Sequence, residues 1–188
     1  SLRSLTLREL RRLRAARQIL AAGGGVHALA LADITLAGKG VYEALLAQSW
    51  AVRFADPEQM VRLAQAAVEV THGLAQSCSN QQLADLQARA WGELGNAYRT
   101  TDRLQSAREA FGRAFSLMQV GTGDPYLKAR LFELEASLLG TWRDFRLALP
   151  RLKSLANLYL DLQESHLAGR AHIIRALYTY YSGAADQA

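Results

Sequence analysis

The chain has 188 residues, a hydrophobic fraction of 50%, a charged fraction of 21% and three prolines. With 33 alanines and 32 leucines against one cysteine, it favours helix and excludes a disulfide scaffold, a cysteine zinc site and a disordered chain. The net charge of +5 is local: residues 1–22 hold six arginines and one acid, Glu9, while the rest of the chain holds 16 bases and 16 acids.

In chain order, residues 4–22 read as an amphipathic helix. Leu10, Leu13 and Leu20 share one face with Leu2 and Leu5, and Arg3, Arg8, Arg11 and Arg14 lie opposite. Gly23-Gly24-Gly25 stops it. Residues 26–40 suit a short helix or a buried strand; helix is the expectation, and Gly38-Lys39-Gly40 is expected to break the chain. A helix over 41–53 comes next, and Asp56-Pro57-Glu58 opens another reaching Ala75, because proline at the first helical position loses no hydrogen bond. Gln76–Asn80 reads as a polar turn and 81–98 as a long helix; Gly121–Pro125 is the sharpest break in the second half. No apolar run approaches the ~20 residues that span a bilayer, and the N-terminus has no signal-peptide core. A cytoplasmic protein is the expectation.

Self-similarity organises the second half. Segments 88–114, 129–155 and 169–188 open on Ala-Arg-Ala-Trp, Ala-Arg-Leu-Phe and Gly-Arg-Ala-His, and Ala107, Ala148 and Ala188 recur 41 and 40 residues apart. The first unit, with Trp91, Leu94, Gly95, Tyr98, Ala107, Phe111 and Ala114, resembles the tetratricopeptide (TPR) repeat position by position. The second keeps Phe132, Ala136, Leu139, Ala148 and Leu152 but has Glu135 in a leucine slot; the third keeps Ala176, Gly183 and Ala188 and puts His172 and Arg175 where large apolar residues belong. The resemblance implies an all-α, TPR-like solenoid of antiparallel helix pairs, right-handed, with an N-terminal helical segment on its first pair. The expected regions are 1–40 (basic helix and short segment), 41–87 (a degenerate helical pair) and 88–188 (the repeats, the last unfinished). Gly95, Ala136 and Ala176 would sit where paired helices cross, and Ile173, Leu177 and Tyr180 would lack a lid. Because these units exceed the family's usual length, the second helix of each pair is expected to be about two turns longer.

Little points to catalysis. His27, His72, His166 and His172 never fall at the i, i+4 spacing of a helical metal site; Cys78 sits in a polar turn without a base near it in sequence; Gly38-Lys39-Gly40 lacks the rest of a phosphate loop. No enzyme activity, cofactor or metal is expected.

The resemblance implies instead a groove for an extended peptide. Arg89, Arg130 and Arg170 share one repeat slot, and with Glu93, Asn96 and Glu133 are the expected lining. An arginine ladder there would attract an acidic peptide or a chain-end carboxylate. Of the chaperone-tail clamp only Asn96 occupies a matching slot, with Gly92 and Leu134 at polar positions, so that partner is not expected. The leading expectation is a protein–protein interaction scaffold. Two alternatives stand beside it: a sensor module of a larger bacterial regulator, which the beginning at Ser1 and the end at Ala188 would fit, and nucleic-acid binding through residues 1–22. A membrane partner is not expected, as the first helix has no Trp or Phe on its apolar face. A homodimer through the unfinished last repeat is a further expectation.

Overall fold

The structure is a computed structural model that describes residues 38–183. Among the described residues seven helices succeed one another and no strand occurs: α1 (Lys39–Val52), α2 (Pro57–His72), α3 (Asn80–Thr100), α4 (Leu104–Gln119), α5 (Pro125–Thr141), α6 (Phe145–Asp161) and α7 (Ser165–Tyr181). The helix expected over 4–22, most of the 26–40 segment and Ala188 lie outside the described residues.

The starts of the helices are written in their caps. Asp56 accepts from the Gln59 amide ahead of Pro57, Asp124 from Tyr126 ahead of Pro125, and Asp144 from Leu147. Ser79 and Gln82 form a reciprocal capping box at α3. Two boundaries differ from expectation. Gly38 is the N-cap of α1, so Lys39 and Gly40 belong to the helix. Helix α2 stops at His72, and the turn reaches to Ser79.

The ends of the helices repeat one design. Asp102, Arg143 and Gln163 take left-handed φ of 59°, 58° and 60°, and Gly183 takes 72°. At each of the first three, the residue after it donates back to the carbonyl five positions earlier: Arg103 to Tyr98, Asp144 to Leu139, Glu164 to Tyr159. The left-handed residue itself donates to the carbonyl three back. This pair of bonds is the Schellman closure, which satisfies otherwise orphaned end carbonyls.

Every helix packs on its neighbours in sequence, and α3 also packs on α1 and α5. One core joins α1, α2 and the middle of α3, from Val41 and Leu45 through Leu63 and Ala67 to Leu94 and Ala97. Helix α3 runs unbroken from Asn80 to Thr100, covering the long helix expected over 81–98. Smaller clusters continue through Leu131, Phe111 and Leu134 to Leu152, Leu155 and Ala171. Two glycines permit the close approaches. A Cβ on Gly95 would sit 3.0 Å from the Phe111 ring, and one on Gly92 would overlap Leu131. Ala136 is buried, whereas Ala176 is exposed. The expected lengthening of second helices is corrected: α4 and α6 have 16 and 17 residues, no more than α3 and α5 with 21 and 17.

Glu135 fits its leucine slot through an ion pair. Burial raises its pKa and Arg151, paired with it, opposes the rise. The Arg151 guanidinium lies 4.3 Å from the centre of the Phe132 ring and 5.3 Å from that of Phe115, so aromatic faces cover the pair. At the far end, Ile173, Leu177, Tyr180 and Tyr181 stand exposed on α7.

Candidate functional site

The odd-numbered helices present the expected lining residues, and the structure joins most of them into a chain of ion pairs. Arg89 on α3 donates from both Nη atoms to the Glu43 carboxylate on α1, at 2.8 and 3.2 Å. Arg130 on α5 grips Glu93 on α3 with Nε and Nη2, at 2.8 and 3.1 Å, and reaches Glu133 with Nη1 at 3.1 Å. Arg170 on α7 approaches Glu133 more loosely, at 3.6 Å. Each arginine therefore reaches back to a glutamate on the preceding odd helix. Forked pairing of this kind is the stronger class of ion pair.

This changes the chemistry the sequence suggested. Three arginines alone would draw an acidic ligand; three arginines interleaved with Glu43, Glu93 and Glu133 form a neutral ladder. Burial pulls the pKa of Arg130 down, but Glu93 and Glu133 more than reverse it; at Arg89 burial is likewise outweighed, by Tyr42, Glu43 and Glu93. Both cations are committed to these partners.

Above the ladder lies an open cavity of about 510 Å³, lined by Glu43, Leu46, Ala47, Trp50, Arg89, Glu93 and Arg130. Trp50 of α1 crosses toward α5, its ring centre 5.2 Å from the Arg130 guanidinium carbon. The cavity has an apolar wall, a charged but balanced floor and one partly exposed tryptophan.

Asn96 departs from expectation. It is only 2% exposed, and its Oδ1 accepts from both Nε and Nη2 of Arg99 at 3.2 and 3.0 Å, so it orients a neighbour instead of lining the surface. Sequence reasoning does not reach Glu43 or Trp50. The Glu93–Arg130 and Glu133–Arg170 pairs share a separation of 37 residues that the sequence displays, but Glu43–Arg89 spans 46 and breaks the pattern. The longer α2–α3 connection and longer α3 account for most of the shift.

Further clefts open elsewhere. One of about 200 Å³ between α5, α6 and α7 is lined by Glu133, Ser137, Leu155, Arg170 and Tyr178 among others. Another, of about 350 Å³, lies between α4, α5 and the start of α6, walled by Phe111, Phe115, Leu139 and Trp142. No group of three metal-ligating side chains occurs among the described residues, and no described helix is long and apolar enough to cross a membrane. Cys78 is partly buried, its Sγ directed at the Leu74 carbonyl. Compared with known protein families, curated proteins and solved structures, the chain finds no match.

Proposed function

We propose that this chain is a TPR-like helical scaffold, a solenoid of helix pairs that binds an extended peptide across its odd-numbered helices without catalysis. The observation that carries the reading is the cavity over α1, α3 and α5: about 510 Å³, open, with a tryptophan on its wall and a fixed ion-pair floor. Odd helices facing one side, glycines at Gly92 and Gly95 and repeated end closures fit a stack of pairs in which each unit is stabilised by the next. The neutral ladder supports a refined view of the ligand. Its arginines hold the helices in register, and specificity toward a peptide comes from Trp50 and the apolar wall more than from bulk positive charge.

The test is a selection of peptides from a random display library against the full chain, followed by affinity measurement. Ala47→Trp fills the cavity without touching the ladder and should weaken the selected peptides at least tenfold. Glu109→Trp, on exposed α4, should leave them unchanged. Equal binding by the Ala47→Trp protein would overturn the groove reading.

A further inference from the structure

The last rung of the ladder borders a second hollow. Leu152 and Leu155 of α6 and Ile174 and Leu177 of α7 give it apolar walls, and Glu133 of α5 and Arg170 of α7 give it charged ones. On α6 the wall residues are three apart, and on α7 Arg170, Ile174 and Leu177 are four and three apart, so each helix turns one face to the hollow. Leu177 is 46% exposed and marks its mouth, whereas Leu152 and Leu155 are buried at its back. Arg130 lines the cavity over α1, α3 and α5, Glu133 lines this hollow, and Arg130 Nη1 donates to Glu133 Oε2 at 3.1 Å. One ion pair is therefore the common wall of the two spaces, and a ligand lying along the ladder passes from one to the other.

Volume and charge select the occupant. The hollow measures about 200 Å³. A cavity of about 150 Å³ lined by aliphatic and aromatic side chains takes one benzene ring, and pockets for whole small ligands start near about 300 Å³. The space suits one substituted ring and is too small for a run of peptide. Glu133 Oε1 accepts no hydrogen bond among the described residues: Arg170 Nη2 comes to 3.6 Å, beyond hydrogen-bond reach. The Ser137 hydroxyl, also in the lining, is spent on the Glu133 backbone carbonyl at 3.0 Å. A carboxylate oxygen with spare acceptor capacity beside apolar walls calls for a donor. Arg170 and Arg130 already balance the local charge, so the donor that fits is neutral and not a further cation.

We propose that this hollow is a side-chain pocket of the peptide groove, which takes one Trp or Tyr of the bound peptide. The ring lies between α6 and α7, and the indole N–H or phenol O–H donates to Glu133 Oε1. The inference rests on the peptide reading above and adds the residue that the peptide must carry.

The peptides selected on the full wild-type chain provide the probe, and they should share a Trp or Tyr. On wild type, changing that residue to Ala should weaken binding at least tenfold, and changing it to Phe, which removes the donor alone, should weaken it several-fold. Two variants close the pocket: Ser137→Phe from partly exposed α5 and Leu177→Trp at the mouth, with melting temperatures to show that each folds. Either should weaken the selected peptides at least tenfold, and on either protein the peptide's change to Ala should cost nothing more. If wild type selects no peptides, the groove reading fails and this pocket with it. If peptides bind and Ala47→Trp weakens them, but they share no Trp or Tyr, the pocket alone is overturned. It is overturned equally if the Ala change costs as much on the closed variants as on wild type. Equal binding of the Phe peptide would remove the bond to Glu133.

Discussion

Helices α2 and α7 are nearly equal in length, at 16 and 17 residues, yet nine residues of α2 are buried and two of α7. Composition does not explain the contrast, because α7 carries Leu167, Ile173, Ile174, Leu177 and three tyrosines. Neighbours do. Helix α2 is flanked by α1 and α3, whereas α7 packs along α6 and reaches α5 through single side chains such as Arg170 and Tyr178. Among the described residues, burial of a helix follows how many helices flank it.

Cutting a leucine in each helix should expose that contrast most strongly. Leu63→Ala in α2, at a site 2% exposed, should cost about 2–5 kcal/mol in urea unfolding. Amide exchange should show the same order, with α7 opening well before α2. Next comes the ladder: Arg130→Ala strands Glu93 in a partly buried setting, leaves Glu133 with its longer pair to Arg170, and should destabilise by about 1–3 kcal/mol. Arg170→Ala, whose pair is longer and more exposed, should be close to neutral in the same assay.

A smaller effect belongs to Tyr42, fully buried on α1, whose hydroxyl donates to the Leu86 carbonyl on α3 at 2.8 Å. Tyr42→Phe should cost about 1 kcal/mol. Burial pushes the Tyr42 phenol far above its ordinary value, with Arg89 opposing. A group whose folded pKa is raised contributes stability below its unfolded pKa, near 10, and loses it as pH rises toward the folded value. The wild type should therefore weaken above about pH 10 more than Tyr42→Phe does, as thermal melts across that range would reveal. Smallest of all, Leu177→Ala on α7, already 46% exposed, should shift stability by under about 0.5 kcal/mol. A large loss there would mean that something covers α7 in solution and would erase the contrast with α2.

Much of the helical order is legible in the sequence, because its signals are local. Asp56-Pro57 and Asp124-Pro125 announce helix starts, and alanines and leucines at helical spacing mark the helices themselves. Gly95 against Phe111 can be read from the repeat pattern. The exposed face at Ile173, Leu177 and Tyr180 can be read from the same pattern. The pairing of the arginines cannot. A repeated slot shows that Arg89, Arg130 and Arg170 share a position, but not that each finds a carboxylate one odd helix back. That depends on how the odd-numbered helices sit against one another, which no single segment encodes. Asn96 misleads for a related reason: its place on α3 suits the groove, while its burial depends on what packs around it. The turn at Gln163 escapes a sequence reading because it carries no glycine, although its backbone matches that at Arg143.

The end closures carry a consequence for how this array can grow. Arg143, Gln163 and Gly183 are spaced by 20 residues, so α6 and α7 are each delivered by one interchangeable joint of fixed length. In the proposed solenoid, adding one such cassette would reverse the parity of every helix after it and move the residues proposed to face the groove to the back. Adding two would restore parity and lengthen the proposed groove by a further rung. Extension of such a solenoid would therefore proceed in steps of two cassettes, with the alternation of Arg and Glu as the rule for writing each new rung.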